Sequence, residues 1–142
     1  MILRPIVPAD QDFLWKMLYQ AIYVPPGNSP PPRKIIRQPE LAHYVQDWPQ
    51  PGDLGLIAAE ATTGKPLGAA WLRLFSAEFP GYGFVAEGIP ELSVAVLPEC
   101  RGQGVGTALL EGLLEVARGQ IAAVSLSVSA ENPALKLYRR LG

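Results

Sequence analysis

The chain has 142 residues, 49% of them hydrophobic and 18% charged, the balance of an ordered soluble globular protein rather than a disordered tail. Lys and Arg number 12 against 13 Asp and Glu, and a net charge near −1 offers no electrostatic footprint for nucleic acid. One cysteine excludes an internal disulfide, one histidine beside it is too little for a zinc site, and no run approaches the ~18 apolar residues of a membrane span. The reading is therefore one cytoplasmic domain over residues 1–142, with no metal, membrane or nucleic-acid partner.

Leu3 to Val7 predicts a short opening strand, and Asp10 an N-cap for a helix with apolar positions at Phe13, Leu14, Met17, Leu18, Ala21 and Ile22. Between Val24 and Pro51 lie eight prolines, so Pro25 to Pro32 is expected as an extended surface loop, either a rigid connector or a wall of a ligand pocket. A short helix is expected from Glu40 to about Val45. Leu54 to Glu60 and Pro66 to Leu74, joined at Thr62-Thr63-Gly64, read as an antiparallel hairpin. The loop Phe75 to Pro90 carries Phe79, Tyr82 and Phe84, which with Tyr19 and Tyr23 could line a small pocket. A buried strand opens at Glu91, and Pro98 turns the chain into a glycine-dense loop and an amphipathic helix. Ala122 to Val128 predicts another strand. Asn132 then caps a short helix with Pro133 at its first position, and the spacing puts Ala134, Leu137, Tyr138 and Leu141 on one packed face.

Chemistry concentrates in Arg101-Gly102-Gln103-Gly104-Val105-Gly106-Thr107. Glycines at alternate positions leave main-chain N–H groups accessible at the first turn of a helix, where they lack intrahelical partners and the helix dipole favours an anion. Arg101 adds a full charge. A Walker A loop would need a lysine after its last glycine, but Thr107 and Ala108 follow Gly106. A dinucleotide fingerprint would need G-x-G-x-x-G and an acidic residue about 20 positions on, and neither is present. The bland alternative is a glycine-rich turn with a structural role alone. The segment is similar to the R/Q-x-x-G-x-G/A signature of the GNAT superfamily of acyl-CoA-dependent N-acyltransferases. Asn132 to Gly142, with Leu137-Tyr138, resembles that superfamily's second motif, N-x-x-x-x-L-Y-x-x-x-G-F. The resemblance is close over residues 91–142 and holds only in pattern before them.

That resemblance implies an α/β fold, β-α-(α)-β-β-β-α-β-α, with a central mixed, mostly antiparallel sheet flanked by helices. It implies transfer of the acetyl group of acetyl-CoA, a co-substrate, to a primary amine of a small molecule or peptide by direct attack in a ternary complex. A non-catalytic acyl-CoA sensor is the alternative. The pyrophosphate of the co-substrate would lie on Arg101, Gly102, Gln103, Gly104, Val105, Gly106 and Thr107, its pantetheine arm along Val94, Ala95 and Val96, with Asn132 and Tyr138 also in contact. Tyr138 holds the place of the family's general acid. Glu91 stands where some relatives keep a general base, with Glu87 and His43 as other candidates. Cys100, at a position where the family uses no nucleophile, reads as a filler. The chain stops at Leu141-Gly142, where family members continue with Phe and a further strand. The expectation is a C-terminally incomplete sheet, repaired by missing residues or by a second copy in a homodimer.

Overall fold

The structure is a computed structural model that describes residues 1–22, 24, 26–82, 86–118 and 124–125. Strand β1 (Ile2–Pro5) pairs antiparallel with β2 (Leu54–Ala59), β2 with β3 (Pro66–Arg73), and β3 with β4 (Glu91–Val96), giving the order β1-β2-β3-β4. Helix α1 (Gln11–Ala21) and the short α2 (Pro39–Ala42) cover one face, and α3 (Val105–Ala117) covers the other. Single 3-10 turns precede α1 at Pro8–Asp10, lead into α2 at Arg33–Arg37, and follow β4 at Pro98–Cys100.

Because both faces are covered, the central strands read as continuous apolar runs rather than alternating ones. Ile57, Ala59, Ala69, Trp71 and Ala95 meet Leu14, Met17, Leu18, Tyr44, Val45 and Trp48 on the α1 side. Leu56, Ala58, Ala70, Leu72 and Leu92 meet Leu109, Leu110 and Leu113 on the α3 side. Burying each such Leu or Ile stabilises the fold by about 1.5–3 kcal/mol, so the two layers fix how α1 and α3 sit on the sheet. Contact is close at Gly112 of α3, where an added Cβ would lie 2.6 Å from Leu3 Cδ1 of β1 and 3.2 Å from Leu56 Cδ1.

Two predicted boundaries move for identifiable reasons. The opening strand ends at Pro5 and not Val7, because the Val7 N–H turns to the Asp10 carboxylate at 2.8 Å. Asp10 stands at the N-cap of α1 but makes no side-chain bond to that helix. Its carboxylate instead closes the preceding turn and receives the Arg4 guanidinium at 2.8 and 2.9 Å. The helix expected at Glu40–Val45 is instead Pro39–Ala42, with Pro39 at its first turn. The backbone then tightens to three-residue bonds, Tyr44 N–H to Leu41 O and Val45 N–H to Ala42 O.

Buried Arg73 anchors that tightened segment. Its guanidinium pairs with Asp53 at 2.7 Å and donates to the carbonyls of His43 at 3.0 Å and Gln46 at 2.7 Å. Trp71 Nε1 donates to Tyr44 O at 2.9 Å. Two consecutive core-facing β3 residues of the α1 side therefore hold the 43–46 backbone against the sheet. In the Pro-rich stretch, Tyr19 donates its hydroxyl to Pro31 O at 2.6 Å while Arg33 lies over its ring. Tyr19 thus ties the loop down. The predicted strand at Ala122–Val128 is described only at Val124 and Ser125, where Ser125 bridges Glu91 in parallel and makes the sheet mixed. The closing helix, and with it Asn132 and Tyr138, lies outside the described residues, as do Tyr23 and Phe84 and the expectation of an incomplete sheet.

Candidate active site

Strand β4 links two chemically different places. Past its C-terminal end, Gly102 and Gly104 adopt left-handed backbone at φ +77° and +81°, and a Cβ at either would meet open space. Gly104 is the N-cap of α3, and the first helical bond runs from Ala108 N–H to Gly104 O at 3.0 Å. The N–H groups of Val105, Gly106 and Thr107 therefore belong to the first turn, which has no intrahelical acceptors for them. Residues 101–104 are exposed, whereas the Val105 side chain is buried in the α3 core, so Val105 offers its main chain alone. These features fit a phosphate or pyrophosphate approaching the backbone closely. Arg101 reaches across to α1, donating to Gln20 Oε1 at 3.2 Å, and Gln103 Nε2 donates to Glu99 O at 3.3 Å. The guanidinium expected to supplement the cradle is thus shared with the C-terminal end of α1. Cys100 is buried, in keeping with a filling role.

Along β4 the main-chain groups alternate. Leu92 N–H donates to Ser125 O at 2.6 Å, and Pro90 O accepts from Ser125 N–H at 2.9 Å. Antiparallel alternation then directs the N–H and C=O of Val94 and Val96 toward this same edge, and those of Ala95 toward β3. Of the three residues expected along the pantetheine arm, Val94 and Val96 have main-chain groups on this edge, away from β3. Ala95 supplies packing against α1.

At the N-terminal end, Glu91 is 4% exposed, where a strand-end glutamate would ordinarily be solvated. Its Oε2 accepts a 2.5 Å hydrogen bond from the Tyr44 hydroxyl, which in turn accepts from Tyr82 N–H at 2.7 Å. Gly81 lies against the same group: an added Cβ would run into Glu91 Oε1 and sit 2.8 Å from the Tyr44 hydroxyl. Burial first, and the Glu91 carboxylate second, hold the Tyr44 phenol above its ordinary range, so it stays protonated and is the donor. Rings surround the pair. His43 stacks on Phe79 at 4.1 Å, Phe75 lies 4.6 Å from His43 and 4.9 Å from Tyr44, and Tyr82 lies parallel to Tyr44 at 6.4 Å. Burial pulls the His43 pKa down, and its Nε2 is buried without a hydrogen-bond partner. It is a neutral ring within an aromatic group. Glu87 is exposed on the loop. Phe79, stacked on His43, and Tyr82, parallel to Tyr44, are exposed at 43% and 67%.

Comparison with known proteins decides the family. The model of the acetyltransferase (GNAT) family matches residues 15–142. The chain belongs to the GNAT family. Across 146 aligned residues it is 32% identical to mycothiol acetyltransferase of Arthrobacter sp. (strain FB24), covering 99% of this chain and 41% of that protein. It therefore spans less than half the length of this curated relative. Among solved structures it is similar to a ribosomal-protein-alanine N-acetyltransferase from Brucella melitensis, at 26% identity, TM-score 0.66, and coverage of 100% of this chain and 83% of that one. A GCN5-related N-acetyltransferase from Ralstonia eutropha JMP134 shares the fold at 20% identity, TM-score 0.70, and coverage of 99% and 90%.

As a GNAT chain, its sheet is α/β with the expected order through α3. No group of metal-ligating side chains and no membrane-length apolar helix occurs among the described residues. The sequence singles out Glu91 and the glycine loop as candidates but does not point to Tyr44 and Gly81 as neighbours of Glu91. A usable signal was the polar Glu91 opening an otherwise apolar strand, since a buried carboxylate requires a donor.

Proposed function

We propose that the chain is an acetyl-CoA-dependent N-acetyltransferase acting on a primary amine of a small molecule or peptide by direct attack in a ternary complex. The observation that carries this reading is β4, with a buried, hydrogen-bonded carboxylate at one end and, beyond the other, exposed glycines with open space beside them. Six extended residues separate the two ends, roughly 17 Å at about 3.3 Å per residue. That is a span suited to an elongated acyl carrier with its anion at one end and its reactive carbonyl at the other.

Acetyl-CoA supplies an acetyl group activated as a thioester. Gly102 to Thr107 would hold its pyrophosphate, and the Val94 and Val96 main chain its peptide-like arm. Only the uncharged amine is nucleophilic, so Glu91 is assigned the acceptor's proton, taken directly or through a water. Tyr138 is assigned the role of general acid from its place in the second motif, because a phenol with an ordinary pKa near 10 is protonated at neutral pH. One relative is named for mycothiol and one solved neighbour for an alanine of a ribosomal protein, so the acceptor screen should include small amines and peptide N-termini.

The test is release of free thiol from acetyl-CoA on adding members of an amine library, with acetylated product confirmed by mass. Turnover with any amine that disappears in Glu91→Gln supports the assignment. Saturable acetyl-CoA binding without turnover across the library would instead leave an acyl-CoA-binding module.

A further inference from the structure

We propose that Tyr44 is a positioning residue that aims Glu91 and ties the main chain at Gly81 and Tyr82 beside it. This rests on Glu91 being the general base, as argued above.

Three observations converge on the Tyr44 hydroxyl. It donates to Glu91 Oε2 at 2.5 Å, and it accepts the main-chain N–H of Tyr82 at 2.7 Å. Gly81 packs so closely that any side chain there would strike both Glu91 and Tyr44. One oxygen therefore joins the end of β4 to the main chain at Tyr82, next to the close-packed Gly81. Tyr44 is itself fixed from behind. Its carbonyl accepts from Trp71 Nε1, and the adjoining His43 and Gln46 carbonyls accept from Arg73. Side-chain placement thus passes from the β3 core through the 43–46 backbone to the carboxylate. A base must sit within hydrogen-bond reach of the proton it takes, and a small misplacement costs rate steeply.

The charged and titratable groups around the pair, among the described residues, are few. Arg73 lies opposite Glu91 in the β3–β4 register, with its guanidinium committed to Asp53 and main-chain oxygens. His43 meets Tyr44 edge to face at 5.1 Å, and burial keeps its ring neutral. Tyr82 stacks on Tyr44 from the loop, and Ser125 flanks Glu91 on the neighbouring strand with a buried hydroxyl. Removal of the Tyr44 donor withdraws a neighbour that favours the charged carboxylate through a hydrogen bond.

The experiment is a double-mutant cycle of Tyr44→Phe and Glu91→Gln, read as kcat, KM and the pH dependence of kcat/KM with acetyl-CoA and an active amine. Tyr44→Phe retains the ring packing. It should lower kcat roughly 10- to 100-fold, as loss of a charge-assisted hydrogen bond does. It should also move the acid limb of kcat/KM to higher pH, because a base that has lost its donor holds its proton more tightly. In the Glu91→Gln background the same change should alter kcat by less than about twofold, since coupled residues do not act additively.

The outcomes separate the two claims. If Glu91→Gln is impaired while Tyr44→Phe keeps the wild-type rate and profile, the positioning role is overturned and the base stands. Equal losses from Tyr44→Phe in both backgrounds mean a role in packing alone, which also overturns it. If Glu91→Gln itself matches the wild type, the assignment of the base fails and the positioning role falls with it. Thermal unfolding of each variant identifies a rate loss that comes from misfolding, and Tyr44→Phe unfolding at the assay temperature counts as the packing outcome.

Discussion

The two ends of β4 solve opposite problems. At the Glu91 end a side chain is buried and fastened by a phenol, a loop glycine and a braced backbone. At the Gly102–Gly104 end two positions have no side chain, their backbone is left-handed, and the segment is exposed. Under the proposed assignment, proton transfer depends on one atom's position, which suits an end built from tertiary contacts. Anion binding depends on several N–H groups pointing one way, which suits an end set by local backbone conformation. Damage at the first should therefore appear in turnover, and damage at the second in affinity.

The sharpest way to break this contrast is Glu91→Gln, expected to slow turnover by roughly 10²–10⁴-fold with the acetyl-CoA dissociation constant little changed. Stopped-flow thiol release beside calorimetry checks both quantities. A loss of affinity with intact turnover would reverse the assignment of the two ends. Next in size is Arg73→Leu, which strands buried Asp53 and frees the 43–46 carbonyls. Loss of one partner from such a pair costs about 3–5 kcal/mol, read as a drop in urea midpoint. Gly104→Val tests the other end. With open space around the new Cβ, its cost is the left-handed backbone, about 1–2 kcal/mol, together with branches where an anion must approach. Calorimetry should show acetyl-CoA affinity down about tenfold or more while kcat at saturation holds.

A control distant from both ends is Arg4→Gln. The Arg4 guanidinium, through its hydrogen bonds, holds the Asp10 carboxyl below its ordinary range. A lowered folded-state pKa contributes stability above the unfolded value of about 4 and loses it as pH falls through the folded value. The variant should cost under about 1 kcal/mol at neutral pH, after discounting for solvent screening of a partly exposed pair, and nearly nothing below pH ~2. Urea midpoints at the two pH values measure the difference, and activity should not move.

The same contrast explains what could be read in advance. Gly102 and Gly104 announce themselves because positive φ is a property of the residue itself. The hairpin of β2 and β3 and the apolar α3 are legible for a like reason, since period and turn chemistry are local. Glu91 could be located but not its surroundings. Tyr44 is 47 positions away, in a Pro-rich stretch whose path depends on Arg73 and Trp71. Nothing in the residues flanking Arg73 in sequence points to Asp53. Asp10 misled in the other direction, because a good helix-capping residue had a competing cation on β1.

Gly112 carries a different lesson, about which changes this chain can accept together. A glycine inside a helix costs roughly 1 kcal/mol relative to alanine, yet here Leu3 and Leu56 occupy the room a methyl would need. The nearer atom is the free end of the part-exposed Leu3 side chain, which can swing aside, whereas buried Leu56 must give by a few tenths of an ångström. Alanine at 112 is therefore expected to gain less than its full helix propensity in the parent chain, and to gain more once Leu3 is shortened to valine or alanine. Libraries randomised at both positions should favour the large-small and small-large combinations over the large-large one. The pair would be inherited jointly, a dependence between β1 and α3 that neither position shows when varied alone.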